Sequence, residues 1–193
     1  MSTQDLCTNI VGAIEAALPT ARPLALHEPE FSGNEWLYVK ECLDSGWVSS
    51  VGKFVDEFEA QLESFTGAQH AIVTVNGTAA LHIALLLAGV GHGDEVLVPA
   101  LSFVATANAV VHAGAVPHFV DSEMNTLGID PEALRTYLNN IVETNQGIAI
   151  NRLTGRRIAA LVPMHVFGHP ADLDGLLRVS NDFGIPMIED AAE

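Results

Sequence analysis

Basic side chains and cysteine are what this 193-residue chain has least of. Eight Lys and Arg stand against 24 Asp and Glu, a formal net charge of −16. A field of that sign repels phosphate backbones and anionic headgroups, which argues against a nucleic-acid groove or a membrane-surface partner. The two cysteines, Cys7 and Cys42, form neither a CxxC pair nor a disulfide framework, so a reducing, cytoplasmic setting is expected. With so few thiols, metal ligation would have to rest on the eight histidines, and no metal site is predicted. Long apolar runs are missing too: the longest are strand-sized and interrupted by Pro or His, so no transmembrane helix is predicted. Met1–Leu18 carries Asp5 and Glu15 and has no basic leading stretch, which argues against a secretory signal.

What is present is core material. Apolar residues make up 49% and charged residues 17%, enough to pack one domain, or one and part of another. Residues 1–26 read as a leader: Leu6, Ile10, Ile14 and Leu18 recur at helical spacing until Pro19 and Pro23 stop the pattern. Ser32-Gly33-Asn34-Glu35 has the form of a capping box opening a second helix with Trp36, Val39 and Leu43 on one face. A Gly- and Ser-rich loop over 46–52 precedes a third helix striped by Phe54, Phe58, Leu62 and Phe65 and ended by Gly67.

From residue 70 short apolar runs alternate with helices. Strands are predicted at Ala71–Val75, Val96–Val98, Val116–Val120, Ile158–Val162 and Ile185–Ile188. Helices are predicted near Thr78–Ala88, Val104–His112, Pro131–Val142 and Asp172–Phe183. Asp130-Pro131 supplies an N-cap followed by proline at the first helical position. Buried strands separated by helices indicate an α/β fold, a mostly parallel sheet with helices on both faces. A polar insert over 143–157 breaks the rhythm, with a hairpin-like turn expected at Leu153–Arg156.

In such sheets ligands gather at the carboxyl ends of the strands. After the first strand, Asn76-Gly77-Thr78 opens a helix whose free N–H groups can cradle a phosphate; the same dipeptide also makes ordinary turns. Phe103, just past the second strand, can stack on a flat heterocycle or pack in the core. His165 follows the fourth strand and can hydrogen-bond a ligand, although a lone histidine there is more often structural. Glu189 and Asp190 end the fifth strand, where one carboxylate can pair with a protonated ring nitrogen or simply face solvent.

Together these features resemble a known family. The segments NGTAALHIALLLAGVGHGDEVLVPALSFVATANAVVHAGAVPHFVD (Asn76–Asp121), VPMHVFGHPADLDGL (Val162–Leu176) and IPMIEDAAE (Ile185–Glu193) are similar to the pyridoxal 5′-phosphate (PLP) dependent sugar aminotransferases of the DegT/DnrJ/EryC1/StrS group. The likeness runs from about Pro23 onward. Pro23–Glu59 and the insert most resemble LegC-type members, which aminate C4 of a UDP-4-keto-6-deoxy-N-acetylhexosamine for surface-glycan or nonulosonic-acid biosynthesis. The resemblance implies the large domain of aminotransferase fold type I, truncated before its last strands and small C-terminal domain. Residues 27–193 would be the N-terminal part of that PLP-binding domain.

The resemblance also implies roles. Backbone N–H groups of Gly77, Thr78 and Ala79 and the Thr78 hydroxyl hold the PLP phosphate. Phe103 stacks on the ring, Asp190 pairs with its nitrogen, and Glu193 lies beside its phenolic oxygen. His165, Ser49 and Ser50 approach the substrate. Glutamate is the implied amino donor and a homodimer the implied assembly. The Schiff-base lysine of the family has no counterpart here, since the only lysines are Lys40 and Lys53. The chain as written is therefore expected not to turn over. The alternatives are a non-catalytic fragment that binds PLP or a nucleotide sugar or merely dimerises, and a PLP-dependent sugar dehydratase relative. Without the family's last sheet strand, Ala71–Val75 is expected to leave ladder groups unpaired.

Overall fold

The structure, a computed structural model, describes residues 3–18 and 29–193. The stops expected at Pro19 and Pro23 and the boundary expected after residue 26 lie outside the described residues. Two compact units emerge, residues 1–56 and residues 57–193.

In the first unit, helix α1 (Thr3–Ala17) carries Leu6, Ile10 and Ile14, all exposed. Helix α2 (Glu35–Ser45) starts differently from the capping-box expectation. Its N-cap is Asn34, with no side-chain cap bond, and the Glu35 carboxylate instead accepts the N–H of Gly33 at 2.9 Å. Ser32 therefore lies one residue pair outside the helix, too early to reach the free amides of its first turn. Helix α2 ends at Gly46, whose φ of 77° is one an L side chain resists. Helix α3 (Lys53–Thr66) runs across the division between the two units.

The second unit is a layered α/β sheet. Its elements are α4 (Gly77–Leu87), β1 (Glu95–Pro99), α5 (Val104–His112), β2 (Val116–Val120), α6 (Pro131–Ile141), β3 (Val142–Asn145), β4 (Ile148–Asn151), β5 (Arg156–Leu161) and α7 (Leu173–Phe183). The strand order is β2-β1-β5-β4-β3. Pairing is parallel in β2-β1-β5 and antiparallel in β5-β4-β3. The antiparallel part is the polar insert. It holds two hairpins: the expected one at Leu153–Arg156, where Gly155 at φ 71° helps turn β4 antiparallel onto β5, and another at Gln146-Gly147, both at positive φ, between β3 and β4.

Alternation along the strands places the core on both faces, with one slip in β5 at Ala159–Ala160, where the pairing with β1 shifts register and brings Ile158 and Leu161 to the same face. Leu97, Ile158 and Leu161 point to a cluster with Leu134, Leu138, Leu176 and Val179 from α6 and α7. Val96, Val98 and Val162 point to the opposite cluster with Leu81, Leu85 and Val110 from α4 and α5. Asp130 caps α6 by accepting the N–H groups of Glu132 and Ala133, with Pro131 at the first position, as its sequence predicts.

Two predicted strands differ. Residues 185–190 run parallel to β5, but only as isolated bridges, Leu161 to Met187 and Met164 to Asp190. Pro163 and Pro186 supply no N–H, so a continuous ladder is impossible there. Their carbonyls accept instead: Leu161 N–H bonds Pro186 and Asp190 N–H bonds Pro163, each at 2.9 Å.

Ala71–Val75 is no strand, because no strand among the described residues pairs with it. The Glu63 and Glu59 carboxylates of α3 accept the N–H groups of Ala71 and Val73 at 3.1 and 2.8 Å. The match is geometric. Four residues of helix advance about 6 Å and two residues of extended chain nearly 7 Å, so glutamates at i and i+4 meet alternate amides. Val75 at the end of this segment is 89% exposed.

Candidate functional site

Three loops meet at the carboxyl end of the parallel strands. The first leads into α4. Asn76 is extended, and its side-chain oxygen accepts the N–H of Ala79 at 2.9 Å. This corrects one expectation: the Ala79 amide already has an acceptor within the chain. The N–H groups of Gly77 and Thr78 and the Thr78 hydroxyl find none among the described residues. They point from the positive end of an 11-residue helix. A Cβ built on Gly77 would meet only the Ala192 Cβ, at 4.0 Å, so the space above the amides is open and the 190–193 loop borders it.

The second loop carries β1 into α5. Phe103 is the N-cap of α5 and is 67% exposed, so its ring is not core. One turn on, Thr106 is buried and donates its hydroxyl to the Asp190 carboxylate at 2.6 Å. Ser102 donates to the Thr106 oxygen at 3.1 Å, which completes a short relay.

The third is the 190–193 segment. Asp190 is only 6% exposed, and its second carboxylate oxygen has a single long contact, from the Ala192 N–H at 3.4 Å. Its backbone is clamped to Pro163 and His165. A buried carboxylate held on one oxygen and nearly free on the other is suited to a cationic N–H donor. Thr106 and Ser102 were not singled out in the sequence, because a threonine inside a helix carries no local signal. The competition of the Asn76 side chain for the Ala79 amide is likewise invisible in an Asn-Gly dipeptide that also makes ordinary turns.

The remaining predicted residues are placed as follows. His165 accepts the Ala171 N–H at Nδ1, 3.2 Å, which leaves Nε2 to donate to Glu189 at 3.3 Å. Both ring nitrogens are thus engaged within the protein, and a ligand must displace Glu189 to reach Nε2. His165 and His169 have the HxxxH spacing, but among the described residues no group of three or more metal-ligating side chains is assembled. Glu193 is exposed, with its carbonyl oxygen beside Gly168. Ser49 and Ser50 are exposed in the first unit, where Ser49 helps line a cavity of about 420 Å³ with Trp47 and Phe54.

At the opposite end of β1 lies a second polar cluster. Glu95, 3% exposed, accepts hydrogen bonds from Thr154 at 2.7 Å, Asn151 at 2.8 Å and His118 at 2.8 Å. Burial raises its pKa, but the three donors outweigh burial and hold the carboxyl below its ordinary range. This cluster ties the insert to the parallel strands.

Comparison with known proteins agrees with this arrangement. Residues 29–193 match the DegT/DnrJ/EryC1/StrS aminotransferase family. GDP-perosamine synthase of Caulobacter vibrioides is 39% identical over 170 residues, covering 88% of this chain and 42% of the relative. The crystal structure of 3-amino-5-hydroxybenzoic acid synthase superposes with a TM-score of 0.70 at 32% identity, covering 88% of this chain and 40% of that one. NtdA from Bacillus subtilis, solved with its cofactor PMP, gives 0.67 at 26% identity, covering 89% and 38%. Relatives and structures of this family carry PLP or its amino form as cofactor. Among the described residues no helix is long and apolar enough to cross a membrane. The chain spans about two-fifths of the length of these relatives, and it belongs to the DegT/DnrJ/EryC1/StrS aminotransferase family.

Proposed function

We propose that this chain is the cofactor-gripping part of a transaminase that places an amino group on a nucleotide-linked 4-keto-6-deoxy sugar, with glutamate as donor. The carrying observation is the Asp190 carboxylate, buried and fixed by Thr106 on one oxygen, on the same short helix whose start presents Phe103. The residues fit PLP: free amides at Gly77 and Thr78 for a phosphate, an exposed ring for stacking, and a buried acid for a pyridine nitrogen. When bound, PLP supplies a sink for the electron pair left beside the substrate nitrogen as a proton leaves carbon.

The chain's own residues do the rest. Gly77 and Thr78 anchor the phosphate through backbone N–H groups and the Thr78 hydroxyl. Phe103 fixes the tilt of the ring and covers one face from water. Asp190 keeps a proton on the ring nitrogen, and Thr106 keeps Asp190 from turning away. Glu193 is assigned to the neighbourhood of the phenolic oxygen, and His165, Ser49 and Ser50 to the acceptor. A LegC-like UDP sugar is the favoured acceptor class, in cytoplasmic polysaccharide or nonulosonic-acid synthesis by a homodimer.

Transamination also needs an amine to carry a proton to and from carbon. Residues 54–193 contain no lysine. That favours, for the 193-residue chain taken alone, the second reading, a module that binds cofactor without turning over. Fluorescence titration with PMP tests the first reading: the chain should bind, and Thr78→Ala and Asp190→Asn should weaken binding about tenfold or more. Equal binding by all three would overturn it. Release of 2-oxoglutarate from glutamate by the purified 193-residue chain would overturn the second.

A further inference from the structure

Three residues other than glycine adopt positive φ among the described residues: Leu127, Gln146 and Phe167. Gln146 does so in the tight hairpin of the insert, as its turn demands. Phe167 has no such reason. It sits in the short 3₁₀ turn Val166–Gly168 with φ 54° and ψ 30°, a left-handed conformation that a bulky side chain resists. Core packing does not impose it, because the ring is 62% exposed. The flanks do. His165, at the start of the turn, donates its N–H to the Asp190 carbonyl and its Nε2–H to Glu189. Gly168 lies so close to the Glu193 carbonyl that a Cβ there would stand 3.0 Å from it. The turn is thus locked against the segment that carries Asp190, and the price of the lock is a strained aromatic held out in solvent at the edge of the site. Strain that neither folding nor burial explains is characteristic of a residue presented to a ligand.

The surroundings indicate what that ligand offers. Glu189 reaches the ring of His165, two residues before Phe167, and the Glu193 carbonyl lies beside Gly168, the residue after it; both glutamates are exposed. An aromatic face beside carboxylates that accept hydroxyl hydrogens suits a neutral polyol ring, with axial C–H bonds against the aromatic face and hydroxyls toward the acids. It is unsuited to a second anion. We infer that Phe167 is a specificity-determining residue that packs against the C–H face of the pyranose of the acceptor. The inference rests on the sugar-transaminase reading above and adds the element that distinguishes the sugar from its nucleotide.

Isothermal titration of the 193-residue chain loaded with PMP tests it, using UDP-N-acetylglucosamine and GDP-mannose as probes and UDP and GDP as controls. The wild type should bind one sugar nucleotide more tightly than the matching diphosphate. Phe167→Asn, which accepts left-handed backbone, should lose about tenfold toward that sugar nucleotide and nothing toward the diphosphate. Its melting temperature should not fall, since strain is relieved. Phe167→Tyr should bind as the wild type does, and Phe167→Leu, with the backbone demand unchanged, should fall between. If Phe167→Asn and Phe167→Leu both bind like the wild type, the inference is overturned while the functional reading stands. If the PMP-loaded wild type binds none of the four probes, the sugar reading itself falls and takes the inference with it.

Discussion

Replacing Thr106 by valine deletes one hydroxyl while keeping the shape and the β-branch, so helix α5 loses almost nothing in propensity. What it loses is the 2.6 Å donor to a carboxylate that is 6% exposed. A hydrogen bond to such a group is worth about 1.5–3 kcal/mol, because water cannot reach in to replace it. At about 2–4 °C per kcal/mol for a chain of this size, Thr106→Val should lower the melting temperature by about 3–12 °C. Calorimetry at neutral pH reads this directly. PMP affinity should fall with it, since Asp190 is then free to rotate. Asp190→Asn should invert the pattern. Its amide oxygen still accepts from Thr106, so stability changes little, but it no longer offers a carboxylate to a ring N–H, and affinity drops about tenfold to a hundredfold. A Thr106→Val protein that melts within about 1 °C of the wild type and binds PMP equally would refute the coupling.

Gly77→Ala should separate stability from binding. The new methyl meets only Ala192 at 4.0 Å, so the fold survives with a melting temperature equal to or above that of the wild type, while PMP binding in the same titration is lost because the methyl fills the approach to the amides. Asn76→Ala should cost about 1 kcal/mol through loss of the α4 cap, measured by urea denaturation. Glu95 has its folded pKa depressed, so its contribution is present above its unfolded value and fades as pH falls below about 4.5. Glu95→Gln should therefore be less stable than the wild type at pH 7, and the difference should shrink in melting curves taken toward pH 3 to 4.

The sheet was legible where burial alone decides structure. The runs at Val96–Val98, Val116–Val120 and Ile158–Val162 became β1, β2 and β5, and Val104–His112 became α5 with the same bounds. It was illegible where a partner decides. Ala71–Val75 has the composition of a buried strand, yet an apolar run states a preference for burial and not the presence of a neighbour, and here two glutamates of α3 took the amides. At the candidate site, local pattern placed Gly77 and Thr78 at the start of α4, Phe103 at the head of α5 and Asp190 after the last apolar run. Thr106 and the Glu95 cluster were not legible, because their partners lie 84 and between 23 and 59 residues away along the chain, beyond any local pattern. His165 looked available in sequence only because Glu189 and the Ala171 amide cannot be placed beside it until the chain is folded.

Phe103 at the head of α5 and Thr106 one turn below move as one piece, whereas Gly77 and Asp190 belong to other segments. The same helix buries Ala109 and Val110 completely in the interior. Any tilt of α5 therefore displaces the stacking surface and the acid's anchor in concert, leaving the phosphate grip behind. Substitutions at Ala109 or Val110, remote from any chemistry, should thus register as a twist in how the coenzyme lies rather than as its outright loss. Circular dichroism of the bound chromophore would see such a twist before an affinity measurement did.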